Sequence, residues 1–188
     1  MRITMDTIIQ DPHPLLRVKS EPVKIPLSKQ DKSLVLKMRK YVADSRNEDL
    51  AEKYNLRPAV GLAAAQVGVN KQLFVVAVDQ EVDGEYQIVE YVLENPKIIA
   101  HSVQKSMLAN GEACLSISKE YEGYVPRHAR ITVKAYDCLS EQEVIIKAKG
   151  YMAIVMQHEI DHLNGILFYD HINKVDPWQP VENAIIIE

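Results

Sequence analysis

The chain has 188 residues, enough to bury a proper core without disulfide or metal staples. Its formal net charge of −4 comes with no run of lysines or arginines, which argues against a nucleic-acid surface or a polybasic membrane contact. The opening MRITMDTIIQDPHPLL lacks the apolar core and cleavage site of a signal peptide, and no apolar run is long enough to span a bilayer. The two cysteines, Cys114 and Cys138, make no disulfide framework, so a single domain over 1–188 in a reducing cytoplasm is the expectation.

Pro12 and Pro14 predict an extended N-terminal entry. Ser28 then reads as an N-cap with Asp31 in the capping-box position, opening an amphipathic helix over about 29–45 whose apolar residues are Leu34, Leu36, Met38, Tyr41 and Val42. A polar stretch over 45–58 is expected to loop, with a short helix around 48–54. The apolar run QLFVVAV predicts a buried strand over 72–78, and Asp83-Gly84 a hairpin turn into a second strand over 86–93. Further strands are predicted near 96–104, over 130–137 and over 143–149. Gly150 precedes a helix, YMAIVMQHEIDHLNG, that Gly165 stops, and the terminal IIIE suits an edge strand. Strands in hairpin succession with an early and a late helix predict an α+β fold, with antiparallel sheets around the late helix.

That late helix carries the chemistry. His158 and His162 stand four apart, hence on one helical face, where two imidazoles can grip one metal ion. Glu159, beside the first, suits the general base on a water whose pKa the metal lowers from about 15.7 towards about 7. A surface helix can carry such residues for solubility alone. Here, however, they lie among Ile154, Val155, Met156, Ile160 and Leu163, where unpaired polar groups would be costly to bury. A third ligand is needed, and the residues leave two candidates. His171 would complete a zincin-type peptidase site; Cys114, in Gly-Glu-Ala-Cys-Leu-Ser, would supply a thiolate and leave one position open for water. Cys138, at the end of a predicted strand without ligand-like neighbours, reads as a small buried hydrophobe. The small-residue stretch AVGLAAAQVG over 59–68 lets backbone pass close to a ligand, and Gln66 within it can donate to an oxyanion.

Taken together, AVGLAAAQ (59–66), EACLS (112–116) and HEIDH (158–162) resemble the three motifs of peptide deformylases. The flanking segments RPAVGLAAAQVGVNK, ENPKIIAHSVQ, GYVPRHARITVKA and IVMQHEIDHLNGILFYDHI are similar to the longer, Gram-positive-type branch of that family. The resemblance implies removal of the N-formyl group from the initiator methionine of nascent polypeptides, with release of formate. It implies Cys114, His158 and His162 as ligands of one divalent ion, Fe(II) by family habit with Zn, Ni or Co accepted. Glu159 would be the base that passes its proton to the departing amine, and Gln66 and the Leu115 N–H would be oxyanion donors. Val60 and Gly61 would be the strip against which the formyl-methionyl peptide lies as an added strand. Ile154 and Val155 would line its methionine pocket, unless they are plain helix core. Glu112 and Arg127 would pair to brace the Cys114 loop. Asp161 would orient a neighbour or stand as an exposed helical carboxylate. The ribosome is the expected partner beyond the peptide.

Three positions depart from the family pattern: Ala59 and Ala113 replace glycines, and Ala65 replaces a proline. At Ala113, next to a ligand, a backbone requiring positive φ would be strained by about 1 kcal/mol, whereas at negative φ the methyl only narrows the mouth of the site. These changes motivate a rival reading, a paralogue that binds formylated peptides or metal without turnover; the intact Glu159 argues against it.

Overall fold

A computed structural model describes residues 2–188. The Ser28 hydroxyl accepts from the Asp31 N–H at 3.1 Å and starts helix α1, Lys29–Ser45. The Asp31 carboxylate returns to the Ser28 hydroxyl at 2.7 Å rather than to its backbone N–H, because Asp is one methylene shorter than the Glu of a full capping box. The buried face of α1 is Val35, Met38, Tyr41 and Val42. Leu36, expected on that face, is 63% exposed, whereas Val35 is 4% exposed. At 100° per residue Leu36 lies about 200° from Met38, on the opposite side. Asn47 caps a second helix, α2, Glu48–Tyr54, and Asn55 ends it with a left-handed φ of 50°.

Eight strands follow: β1 Gly61–Ala63, β2 Leu73–Val82, β3 Glu85–His101, β4 Lys105–Leu108, β5 Arg127–His128, β6 Arg130–Asp137, β7 Gln142–Lys149 and β8 Ile185–Ile187. The hairpin between β2 and β3 turns on Asp83 and Gly84, both at positive φ, as a two-residue turn of matching twist requires. The stretches expected as separate strands over 86–93 and 96–104 form one strand, β3. Its register against β6 shifts between Glu94 and Lys97, and Asn95 takes a φ of 50° there. A bulge absorbs Asn95-Pro96 without ending the ladder. Three strands were not anticipated: β1, β4 and β5, of 3, 4 and 2 residues, too short to display a period of two.

The strands form an antiparallel sheet in the order β1-β2-β3-β6-β7 and a smaller one in the order β5-β4-β8, in which β8 runs parallel to β4. The larger sheet is covered on both faces. Leu73, Val75 and Ala77 of β2 join the cluster of α1, while Phe74, Val76 and Val78 join that of the third helix, α3, Gly150–Leu163. A strand buried on both sides reads as an unbroken apolar run, which is why 73–78 shows no alternation. The architecture is α+β, with α3 packed against the large sheet and against β4 and β5 of the smaller one. No helix is long and apolar enough to cross a membrane among the described residues.

Candidate active site

Residues at 151, 154, 155, 158 and 162 fall on one flank of α3, and Tyr151, Ile154, Val155 and His158 of that flank border a cavity of about 430 Å³. His158 and His162 pack edge to face, with ring centroids 5.0 Å apart. Facing them is Cys114, carried by the loop between β4 and β5, with its Sγ 3.3 Å from His162 Nε2. The possible ligand atoms of Cys114, His158 and His162 all lie within 4.8 Å of one another. His171 is outside this convergence; its Nε2 instead meets Asp161 Oδ2 at 2.8 Å. The zincin-type alternative is therefore not the arrangement of this chain.

The donor set fits a transition-metal ion. Glu112 Oε2 meets His158 Nδ1 at 2.8 Å, so this nitrogen carries the proton and Nε2 keeps its lone pair for the cavity. Burial opposes a charge on His158, but Cys114 and Glu112 outweigh it and raise its pKa, so the Nε2 lone pair draws a proton, or a metal cation in its place. His162 is held neutral by burial and by the positive His158 and Arg127, which lower its pKa well below the ordinary value, leaving an imidazole able to ligate. Its Nδ1 is buried without a partner. Two nitrogens and one sulfur, converging beside the cavity, form a three-ligand set that leaves a fourth position open.

Behind the ligands lies a buried charge network. Arg127, on β5, donates through Nε and Nη2 to Glu112 at 2.8 and 2.9 Å and through Nη1 to Asp161. Burial alone would raise the Glu112 pKa; the hydrogen bonds of Arg127 and His158 reverse this and hold it at about 2. Asp161, one residue before the ligand His162 on α3, accepts from both Arg127 and His171 and so ties helix, strand and C-terminal segment together.

Glu159 is buried, and Oε2 has no hydrogen-bond partner. Burial raises its pKa to about 7, with His158 and Arg127 opposing and Glu112 adding to the rise. Its seat exists only because residue 61 is glycine: a Cβ there would stand 2.8 Å from Glu159 Cδ. Gly61 belongs to β1, the edge strand of the large sheet. Val60 spends its carbonyl on the Ala77 N–H at 2.8 Å, and Ala63 donates away from β2 to Gln66 Oε1 at 2.9 Å. By the alternation of a strand, Gly61 likewise turns its N–H and C=O to the open edge beside the cavity. Because Gln66 Oε1 is committed to Ala63, its Nε2 is the atom aimed at Cys114 Sγ (3.4 Å) and Ser116 Oγ (3.3 Å). Leu115, next to Cys114, lines the same cavity, and its carbonyl is held by Gln10 Nε2 at 3.0 Å.

Ile154 and Val155 are buried and line the cavity as well, joined by Leu108 and Tyr151, which the sequence reading missed. Tyr151 was within reach, being three and four residues before Ile154 and Val155 on the same helical face; Leu108 arrives from another sheet and leaves no local signal. Ala113 also lines the cavity, and neither it nor Ala59 or Ala65 has a positive φ. The glycine departures therefore carry no backbone strain, and the Ala113 methyl acts only on the shape of the opening.

A sequence model of the Polypeptide deformylase family matches residues 5–178. Peptide deformylase 2 of Bacillus subtilis is 49% identical over 186 residues, covering 99% of each chain. The peptide deformylase of Oceanobacillus iheyensis is 48% identical, covering 99% of this chain and all of that one. Among solved structures, the Ehrlichia chaffeensis peptide deformylase in complex with actinonin superposes with a TM-score of 0.70 at 35% identity, over 93% of this chain and 91% of that one. A Met-Ala-Ser-bound class I type b peptide deformylase from Acinetobacter baumannii gives 0.69 at 27% identity, over 92% of this chain and all of the other. With a family model matching residues 5–178 and whole-length identity near one half to these relatives, this chain belongs to the peptide deformylase family.

Proposed function

We propose that Cys114, His158 and His162 hold one divalent ion and that Glu159, Gln66 and Leu115 carry out the deformylation around it. The chain is a metallohydrolase that removes the N-formyl group from the formyl-methionine of nascent polypeptides and releases formate. The observation that carries the residue assignment is the pairing of a converging Cys-His-His set with a buried, unpartnered carboxylate oxygen of Glu159 beside it.

A divalent ion supplies Lewis acidity there, bringing the pKa of water from about 15.7 towards about 7. Glu159, with its own pKa at about 7, is matched to take a proton from the attacking water and return it to the amine as the C–N bond of the formamide breaks. Gln66 Nε2, fixed in orientation by Ala63, and the Leu115 N–H donate to the formyl oxygen as it gains negative charge. The peptide lies as an added strand on the open edge at Gly61, which directs the methionine side chain between Leu108, Tyr151, Ile154 and Val155. Glu112 and Arg127 hold the His158 ring and the Cys114 loop in register.

Fe(II) is the proposed physiological ion, with Zn, Ni or Co able to occupy the same donors, and the cytoplasm and the translating ribosome are the proposed setting. Protein prepared anaerobically with Fe(II), or with Ni(II), should release formate from formyl-Met-Ala-Ser. Metal bound stoichiometrically without formate release would overturn the catalytic reading and favour a binding paralogue.

A further inference from the structure

The rim of the active-site cavity carries a charge that the deformylation chemistry does not use. Two arginines border the opening, Arg46 and Arg57. Arg46 is committed: its guanidinium donates to the Ala77 carbonyl at 2.8 Å and pairs with Asp79. Arg57 has no carboxylate partner among the described residues; the one hydrogen bond of its side chain is a long 3.5 Å contact from Nη1 to the Ile117 carbonyl. The acidic groups of the cavity lie in its buried depth, where Glu112 is neutralised by Arg127. Arg57 is therefore the uncompensated charge at the mouth, on an exposed side chain.

Its position along the peptide path follows from the strand. The reacting end of a substrate must lie by Glu159 and Gln66, at the Gly61 end of β1. The rest of the peptide then runs antiparallel to β1, past Val60, Ala59 and Pro58 towards Arg57, all of which border the cavity. With the methionine level with Gly61, the second residue falls near Val60 and the third near Ala59, both of which precede β1, at about 3.4 Å per residue for an antiparallel run. Arg57, two residues further along, has the side-chain length to meet that third residue.

We propose that Arg57 is a specificity-determining residue of this deformylase, recognising a carboxylate at the third residue of the formylated peptide. The inference rests on the deformylase reading and adds a substrate preference to it. The carboxylate has two possible sources, an acidic side chain or the C-terminus of a three-residue peptide, and a guanidinium fork accepts either.

The experiment compares kcat/KM for formyl-Met-Ala-Asp-amide, formyl-Met-Ala-Asn-amide and formyl-Met-Ala-Lys-amide, and for formyl-Met-Ala-Ser as free acid and as amide. A solvent-exposed pair of this kind should give a preference on the order of two- to five-fold for Asp over Asn, with Lys lowest, shrinking in high salt. The same ratios are read in Arg57→Gln and Arg57→Glu; a ratio within one enzyme is independent of metal loading or of the fraction folded. Arg57→Gln should flatten it and Arg57→Glu should invert it in favour of Lys. An Asp preference lost in Arg57→Gln assigns the side chain as the source, and a free-acid preference lost in the same variant assigns the terminus. Ratios of one in the wild type, or equal ratios in wild type and Arg57→Gln, would overturn the proposal while formate release from the neutral amide leaves the deformylase reading standing. No release from any of the peptides would fault that reading itself.

Discussion

At the scale of single residues the site depends on two negative requirements, an atom that must be absent and a charge that must not be satisfied. Gly61 supplies the first. Because a Cβ would enter the Glu159 carboxylate, Gly61→Ala must displace the base or the strand. A displacement of about 1 Å is enough for a loss on the order of 10²-fold in kcat/KM. The bound metal, measured by atomic emission, should remain at wild-type stoichiometry, and a fully active Gly61→Ala enzyme would show that Glu159 does not need this seat. Glu159 supplies the second, since its Oε2 is left without a protein partner. Glu159→Gln should keep the ion and lose at least about 10²-fold in kcat; unchanged turnover would remove it from the proton transfer. The ligand assignment is tested by a contrast: Cys114→Ala should lose the metal, whereas His171→Ala should retain it, because His171 is engaged with Asp161 and not with the converging set.

At the scale of elements, what could be read in advance was whatever a short window contains. The capped start of α1, the two-residue Asp83-Gly84 turn and the helical spacing of His158 and His162 are local patterns, and each has its counterpart in the structure. Leu36 was misplaced because a roughly periodic run was counted instead of turned through 100° steps. The short strands β1, β4 and β5 exist because neighbours distant in sequence pair with them, which no window displays. Glu94 on β3 is the sharpest case: nothing nearby marks it as core, yet it is buried and neither carboxylate oxygen has an N–H or O–H partner, only the Cys138 thiol beside it. Burial raises its pKa to about 7, with the Cys138 thiol opposing and the charges of Asp137 and Asp31 adding to the rise. The folded state thus binds this proton more tightly than the unfolded state, whose value is near 4.5. Its contribution is fully present below about 4.5 and is lost as pH climbs through about 7. Glu94→Gln should therefore raise stability by up to about 3 kcal/mol at pH 8.5 and by little at pH 4.5. Urea unfolding at the two pH values checks it, and an equal shift at both would exclude titration of Glu94 as the cause.

At the scale of the whole molecule, Arg127 is where separate parts of the fold become one site. From β5 it reaches Glu112 on the Cys114 loop and Asp161 on α3; Glu112 continues to the ligand His158, and Asp161 continues to His171 in the C-terminal segment. Four stretches of chain are thereby linked, directly or through Asp161, to one guanidinium that is 3% exposed. Such a network is weak evidence for net stability, since desolvating the charges offsets much of their attraction. Removing only the central cation is different, because it leaves the buried Glu112 carboxylate with His158 alone and the half-buried Asp161 with His171 alone. Arg127→Met should destabilise by about 3–5 kcal/mol, a fall in Tm on the order of 10 °C for a chain of this size. It should also weaken metal binding by about 10- to 100-fold, because His158 and the Cys114 loop lose the contact that orients them. The two effects separate under saturating Ni(II): added metal restores occupancy, and by mass action part of the Tm. The residual deficit measures the stranded carboxylates. If Arg127→Met matched the wild type in both Tm and metal affinity, the ion network would be incidental to the site, and the positioning of Cys114 against the α3 histidines would have to come from apolar packing around Leu16, Ile117 and Phe168 alone.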